Sequence, residues 1–178
     1  MLEPVQRGLL RVYRRLPTRG RRLVVRTLAP TFTVGAMCII ERDDGAVLFV
    51  RHLYRRRWGV PGGLLERSEE PGDAARREVL EEVNLAVELI GEPAVVVDPE
   101  PHRVDIIFRA RPAPGAPLDD VRPCSAEIVE TRWFGRNDLP ELQHETASAL
   151  VALARSSYSP QALPVTPSLA GPDHGPGG

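Results

Sequence analysis

Lysine is absent from this chain. All 23 basic residues are arginine, and 24 acids leave a net charge of −1 over 178 residues. With abundant alanine and 18 prolines, that bias is the signature of a GC-rich genome and carries no function by itself. Cysteine is scarce: Cys38 and Cys124 lie far apart and match no metal-binding or redox spacing, which sets aside a disulfide framework or a zinc site. Both adjoin apolar runs, so two buried, reduced thiols are expected, in keeping with a cytoplasmic protein. No apolar run approaches the ~20 residues that a membrane-crossing helix needs, and the first residues lack the uninterrupted apolar core of a secretory signal. Internal repeats are also missing. The apolar fraction of 42% is enough for a real core, and the length suits one domain with appendages.

What is present is concentrated between Gly63 and Leu85, GLLERSEEPGDAARREVLEEVNL. A glycine turn, Pro61-Gly62-Gly63, leads into a polar loop with Glu66 and Glu69. A helix is predicted from about Pro71 to Val83: proline suits the first turn, where its missing N–H costs nothing, and Asp73 faces the positive end of the helix dipole. Ala74, Ala75, Val79 and Val83 supply its apolar contacts, and the glutamates are expected to look outward. Glu78 and Glu82 are i,i+4 and Glu78 and Glu81 i,i+3, so three carboxylates share one face. Like charges at that spacing repel by roughly 0.2–0.5 kcal/mol per pair. The bland reading is a solvated acidic face. The sharper one supplies a counter-charge, most simply a hard divalent cation such as Mg²⁺, which prefers oxygen ligands.

The same stretch resembles the Nudix box, Gx5Ex7REUxEExGU with U aliphatic. Gly63 opens it, Glu69 lies six residues on, Arg77-Glu78-Val79 supply REU, Glu81-Glu82 supply EE and Leu85 closes it; eight of the nine specified positions match. The departure is Asn84 in place of glycine, at a helix end that calls for a left-handed backbone, which asparagine tolerates. The resemblance implies a Nudix-type α/β/α sandwich with a mixed sheet; pattern alone supports only mixed α and β.

The rest of the chain divides around this stretch. Residues 1–28 carry eight arginines and one acid, a net +7 against −8 on the remaining 150 residues. They read as an Arg-rich amphipathic helical segment. Packing on the acidic domain, in a homodimer or within one chain, is the favoured role, with an anionic membrane surface or nucleic acid as the alternatives. Residues 29–157 read as the Nudix domain, and residues 158–178 as a disordered Pro/Gly-rich tail. Within the domain, residues 31–42 read as a strand buried on both faces. Asp43-Asp44-Gly45 signals a hairpin to a second strand, AVLFVRH. Further strands are expected at 86–90, 93–98, 103–110 and 127–134, with a Pro- and Asp-rich loop at 111–124, a turn or short helix at 137–142 and a closing helix at about 144–157.

By the resemblance, the chain is a diphosphatase that cleaves a nucleoside diphosphate linked to another moiety, through attack of a metal-activated water on phosphorus. Mg²⁺ is the expected cofactor, or Mn²⁺. Glu78 and Glu82 are the core metal ligands, Glu81 is a further ligand or water contact, and the carbonyl of Gly63 completes the shell. Arg77 pairs with Glu69 and holds helix and loop in register. Glu127 is the expected further ligand or general base, with Glu130 behind it. Arg55, Arg57, Trp58 and His102 are the candidate substrate contacts; for Trp58, anchoring the strand is the competing role, and for His102 a structural or solvated one. Pro101 stands sixteen residues past Leu85, as a proline does in many ADP-ribose-cleaving members, which leans the substrate towards ADP-ribose or another nucleotide sugar. Two other readings stay open: a pyrophosphohydrolase acting on the 5′ end of RNA, with the basic segment tracking phosphates, and a Nudix-fold binding or regulatory module that hydrolyses nothing.

Overall fold

A computed structural model of the chain describes Pro17 and residues 31–157. The expectations for residues 1–28, Pro17 apart, and for 158–178 lie outside the described residues. The elements are β1 (Thr33–Ile40), β2 (Val47–His52), β3 (Gly62–Leu64), α1 (Pro71–Val83), β4 (Val87–Asp98), β5 (Arg103–Pro112), a 3-10 turn (Leu118–Asp120), β6 (Ile128–Phe134) and α2 (His144–Ser157). Four strands form a mixed sheet in the order β3-β1-β5-β4, and β2 and β6 pair separately. β1 runs parallel to β5, Thr33 opposite Arg103 through Ile40 opposite Ala110, and antiparallel to β3.

The near-continuous apolar run of β1 is explained by helices on both faces. Ala36, Cys38 and Ile40 pack with Ala74, Ala75, Val79 and Val83 of α1. The intervening Met37 and Ile39 pack on the other side with Ala149 and Leu153 of α2. The period-2 alternation of a strand thus divides one sequence run between two cores, and the result is an α/β/α sandwich.

Three local expectations need correction. The turn at Asp43–Gly45 forms, with Arg42 N–H donating to Ala46 O at 2.9 Å, and it closes on one antiparallel bridge, Glu41 to Val47, but the pairing goes no further. Beyond that bridge β2 leaves β1 and pairs with β6. The two strands expected at 86–90 and 93–98 are one strand, β4, whose register against β5 shifts between Ile90 and Ala94; Gly91, at φ 66°, absorbs the irregularity as a bulge glycine does. The third concerns the thiols. Cys38 is fully buried, whereas Cys124 is exposed, because it lies in the loop ahead of β6 rather than on a strand.

Burial pushes the Cys38 thiol up to about 12, with Arg76 opposing weakly. Since the thiolate is the reactive form, a thiol reagent at pH 8 is expected to modify Cys124 alone in the folded protein and both cysteines in denaturant. Rapid modification of Cys38 in the native state would contradict this packing.

Candidate active site

The loop and helix of the central stretch are held by one side chain. Arg77 donates from Nε to Glu69 Oε1 at 2.8 Å and from Nη2 to Glu69 Oε2 at 3.0 Å, a bidentate pair. Its Nη1 reaches Glu78 Oε1 at 2.9 Å and Glu81 Oε2 at 3.2 Å. Glu69 in turn accepts the backbone N–H of Glu66 at 2.8 Å. The guanidinium of Arg77, joined by that N–H, holds the Glu69 carboxyl down at about 2. The helix ends where the sequence says it should: Asn84 adopts φ 55°, ψ 41°, and its N–H bonds Leu80 O. The left-handed conformation reserved for the glycine of the box is met by asparagine.

The glutamates do not all look outward. Glu82 lies on the buried face of α1 with Val79 and Val83, only 8% exposed, and its Oε2 accepts the N–H of Gly62 at 3.1 Å. Burial, together with the negative charges of Glu78, Glu127 and Glu81, pushes its carboxyl up to about 8 despite that hydrogen bond. The glycine turn is also β3, and at Gly62 the backbone of β1 leaves no room for a side chain, while at Gly63 the Glu78 carboxylate takes the side chain's place. A Cβ on Gly62 would lie 2.4 Å from Ala36 O, and one on Gly63 would lie 2.3 Å from Glu78 Oε1.

Glu78, Glu81, Glu82, Glu127, Gly62 and Gly63 all line one cavity of about 660 Å³. Glu127 enters it from the loop before β6, its carboxylate accepting the Tyr54 hydroxyl at 3.1 Å. Two buried hydroxyls on the wall, Ser125 Oγ and Thr146 Oγ1, find no hydrogen-bond partner among the described residues, as expected of a cavity built for a polar occupant. The donor set is oxygen throughout, which suits a hard cation rather than zinc or copper. Among the described residues no three His, Cys, Asp or Glu side chains form a ready-made cage.

The outlying candidates fare differently. Arg55 lines the cavity and pairs with Glu145 at 3.2 Å. Arg57 is turned away, onto Glu141 at 2.7 Å. Trp58 packs edge-on against Phe134 at 5.0 Å and is bridged to Leu142, which is the anchoring role. His102, at φ 59° in the β4–β5 turn, stacks against Phe32 at 5.2 Å, away from the cavity wall. Glu130 is held by Arg51 at 2.8 Å and Arg132 at 2.7 Å. Sequence reasoning missed His52, Arg103, Gln143 and Glu145, which line the cavity from three separate segments. Only the fold brings them together; no spacing signal marks them.

The fold is an α/β/α sandwich whose central helix and glycine turn converge on a carboxylate-lined cavity. The NUDIX domain profile matches residues 31–153, and the chain belongs to the Nudix hydrolase family, diphosphatases acting on phosphorus-containing anhydrides whose members generally need divalent metal ions. It is similar to a MutT-like protein of Streptomyces ambofaciens, 29% identical over 119 residues, which covers 67% of this chain and 74% of that protein. Among solved structures it resembles a NUDIX hydrolase from Nitrosomonas europaea, with TM-score 0.61 and 29% identity over 74% of this chain and 76% of that one. It also resembles an ADP-ribose pyrophosphatase from Streptococcus suis, with TM-score 0.58 and 26% identity over 74% and 96%.

The Arg77–Glu69 pair makes a stability prediction with a definite sign. A carboxyl depressed from about 4.5 to about 2 in the folded state contributes stability above pH 4.5 that is lost as pH falls towards 2. The melting temperature of the wild type is therefore expected to fall more steeply between pH 4.5 and 2 than that of Glu69→Gln; parallel curves would contradict the pairing.

Proposed function

We propose that the protein is a metal-dependent pyrophosphohydrolase that cleaves a nucleoside diphosphate linked to another moiety, with ADP-ribose or another nucleotide sugar as the favoured class. The observation that carries this reading is Glu82, a buried carboxylate sharing its cavity with Glu78, Glu81 and Glu127. Such a cluster is costly in an empty site and makes sense beside positive charge. Glu78 and Glu82, with Glu81, Glu127 and the carbonyl of Gly63, would hold the cation. A bound Mg²⁺ or Mn²⁺ would neutralise phosphate charge and lower the pKa of the attacking water.

The protein's own groups have distinct tasks. Arg77 fixes Glu78 and Glu81 relative to Glu69 and positions rather than reacts. Glu127, which accepts the Tyr54 hydroxyl, would take a proton from water or complete the cation's shell. Arg55 offers a guanidinium to substrate phosphate, for which it would exchange Glu145. The lean to a nucleotide sugar is supported by the likeness to an ADP-ribose pyrophosphatase. The retention of Glu78, Glu81 and Glu82 in one cavity speaks against a module that binds without hydrolysing.

The test is product release from ADP-ribose, other nucleotide sugars, nucleoside triphosphates, dinucleoside polyphosphates and 5′-triphosphate RNA, with Mg²⁺, Mn²⁺ or chelator. Metal-dependent cleavage of a nucleotide sugar is expected, with Glu82→Gln lowering kcat/KM on the order of a hundredfold or more. Cleavage that survives chelator or that substitution would overturn the reading.

A further inference from the structure

Gly35 stands inside β1, where a residue without a side chain marks a close approach by something else. A Cβ there would lie 2.5 Å from Asp105 Oδ1, 2.9 Å from Arg103 Nη2 and 3.2 Å from Gly63 O. The space is a berth for an ion pair of the neighbouring strand. Asp105 lies opposite Gly35 in the parallel register and is 6% exposed. It accepts Arg103 Nε on both oxygens, at 2.8 and 2.9 Å. Arg103 is thus pinned through Nε alone, and its Nη1 and Nη2 make no hydrogen bond among the described residues. The same side chain lines the carboxylate cavity, close to the Gly63 carbonyl.

Thr146 reaches that cavity from the first turn of α2. It is fully buried, and its Oγ1 has no partner among the described residues. A threonine in a helix can return its hydroxyl to a carbonyl one turn back, and this one does not. An unpaired buried hydroxyl destabilises the free protein. Two donors, a half-used guanidinium and an orphaned hydroxyl, therefore belong to one wall of the cavity, built by β5 and α2, while Glu78, Glu81 and Glu82 come from α1.

We propose that Arg103 and Thr146 form a phosphate seat on the β5 and α2 wall, which holds one phosphoryl group of the substrate's diphosphate while the other meets the glutamates. This rests on reading the cavity as the place of diphosphate cleavage. Phosphate oxygens accept hydrogen bonds and carry the charge that a guanidinium matches, so one group satisfies both donors. Glu145, one residue before Thr146, lines the same cavity, but its charge is matched by Arg55 at 3.2 Å. Arg103 differs from Arg55 in being held by a buried carboxylate, so its position is set before substrate arrives and no ion pair has to open.

The experiment is calorimetric titration of the full chain, in Mg²⁺, with methylenediphosphonate, whose bridging carbon resists hydrolysis, beside melting temperatures without ligand. Thr146→Val keeps the branched shape and removes the hydroxyl. It is expected to bind about tenfold more weakly and to melt no lower than wild type, because the group removed has no partner to lose. Thr146→Ser retains the hydroxyl and should bind within about twofold of wild type. Arg103→Lys leaves a charge for Asp105 but not the planar fork, and should weaken binding about tenfold or more. Wild-type binding that Thr146→Val leaves unchanged would overturn the seat and spare the diphosphate reading. A lower melting temperature for Thr146→Val would also overturn it, by showing the hydroxyl to be bonded within the protein. Wild-type protein that does not bind methylenediphosphonate at all would contradict the diphosphate reading, and the seat with it.

Discussion

Arg77 is one guanidinium set among three carboxylates, and the arrangement of the site depends on how it divides itself between them. Its strongest geometry, the bidentate pair, goes to Glu69 in the loop, and only single contacts reach Glu78 and Glu81. Glu82 receives none of its hydrogen bonds. The protein thus neutralises the entrance loop fully, the outer glutamates in part, and the buried one only through the N–H of Gly62. Burial and its acidic neighbours make the charged form of Glu82 expensive in the absence of a cation. A cation supplied from solution would meet its largest unmet demand there.

That placement is a consequence of the fold. β1 is covered on both faces and paired on both edges, so it is the most constrained strand of the chain, and β3 lies against it through two glycines whose missing side chains admit Ala36 O on one side and Glu78 on the other. A rigid strand, a strand of glycines and a helix pinned by Arg77 meet at one point. The geometry of the cavity is held by packing, and the loop with Tyr54 and Arg55 and the loop with Glu127 complete its wall.

Much of this was legible in the sequence because the box is contiguous. A glycine, an arginine and glutamates at fixed offsets define a loop, a helix and a shared face without tertiary information, and the bounds of both helices follow from proline, asparagine and apolar period. What the sequence could not convey was burial. Helical spacing puts Glu82 beside Glu78, yet it equally puts it beside Val79 and Val83, and only the packed sheet decides that the second neighbourhood wins. The Asp-Asp-Gly turn shows a related limit: it specifies the reversal, which forms and closes on the Glu41–Val47 bridge, but not how far the two strands stay paired. Tyr54 and Trp58 illustrate the same limit, four residues apart and chemically alike, one open at the rim and the other closed against Phe134.

The account turns on the claim that these glutamates are kept for a cation at some cost to the fold. The most direct measurement is Mn²⁺ binding by electron paramagnetic resonance, with metal-free wild-type protein and the Glu78→Gln/Glu82→Gln double variant, beside their melting temperatures without metal. The expected result is that wild-type protein depletes the free Mn²⁺ signal and the double variant does not, while the variant still melts cooperatively, so that the lost binding is not lost folding. Equal depletion of Mn²⁺ by both proteins would contradict the account.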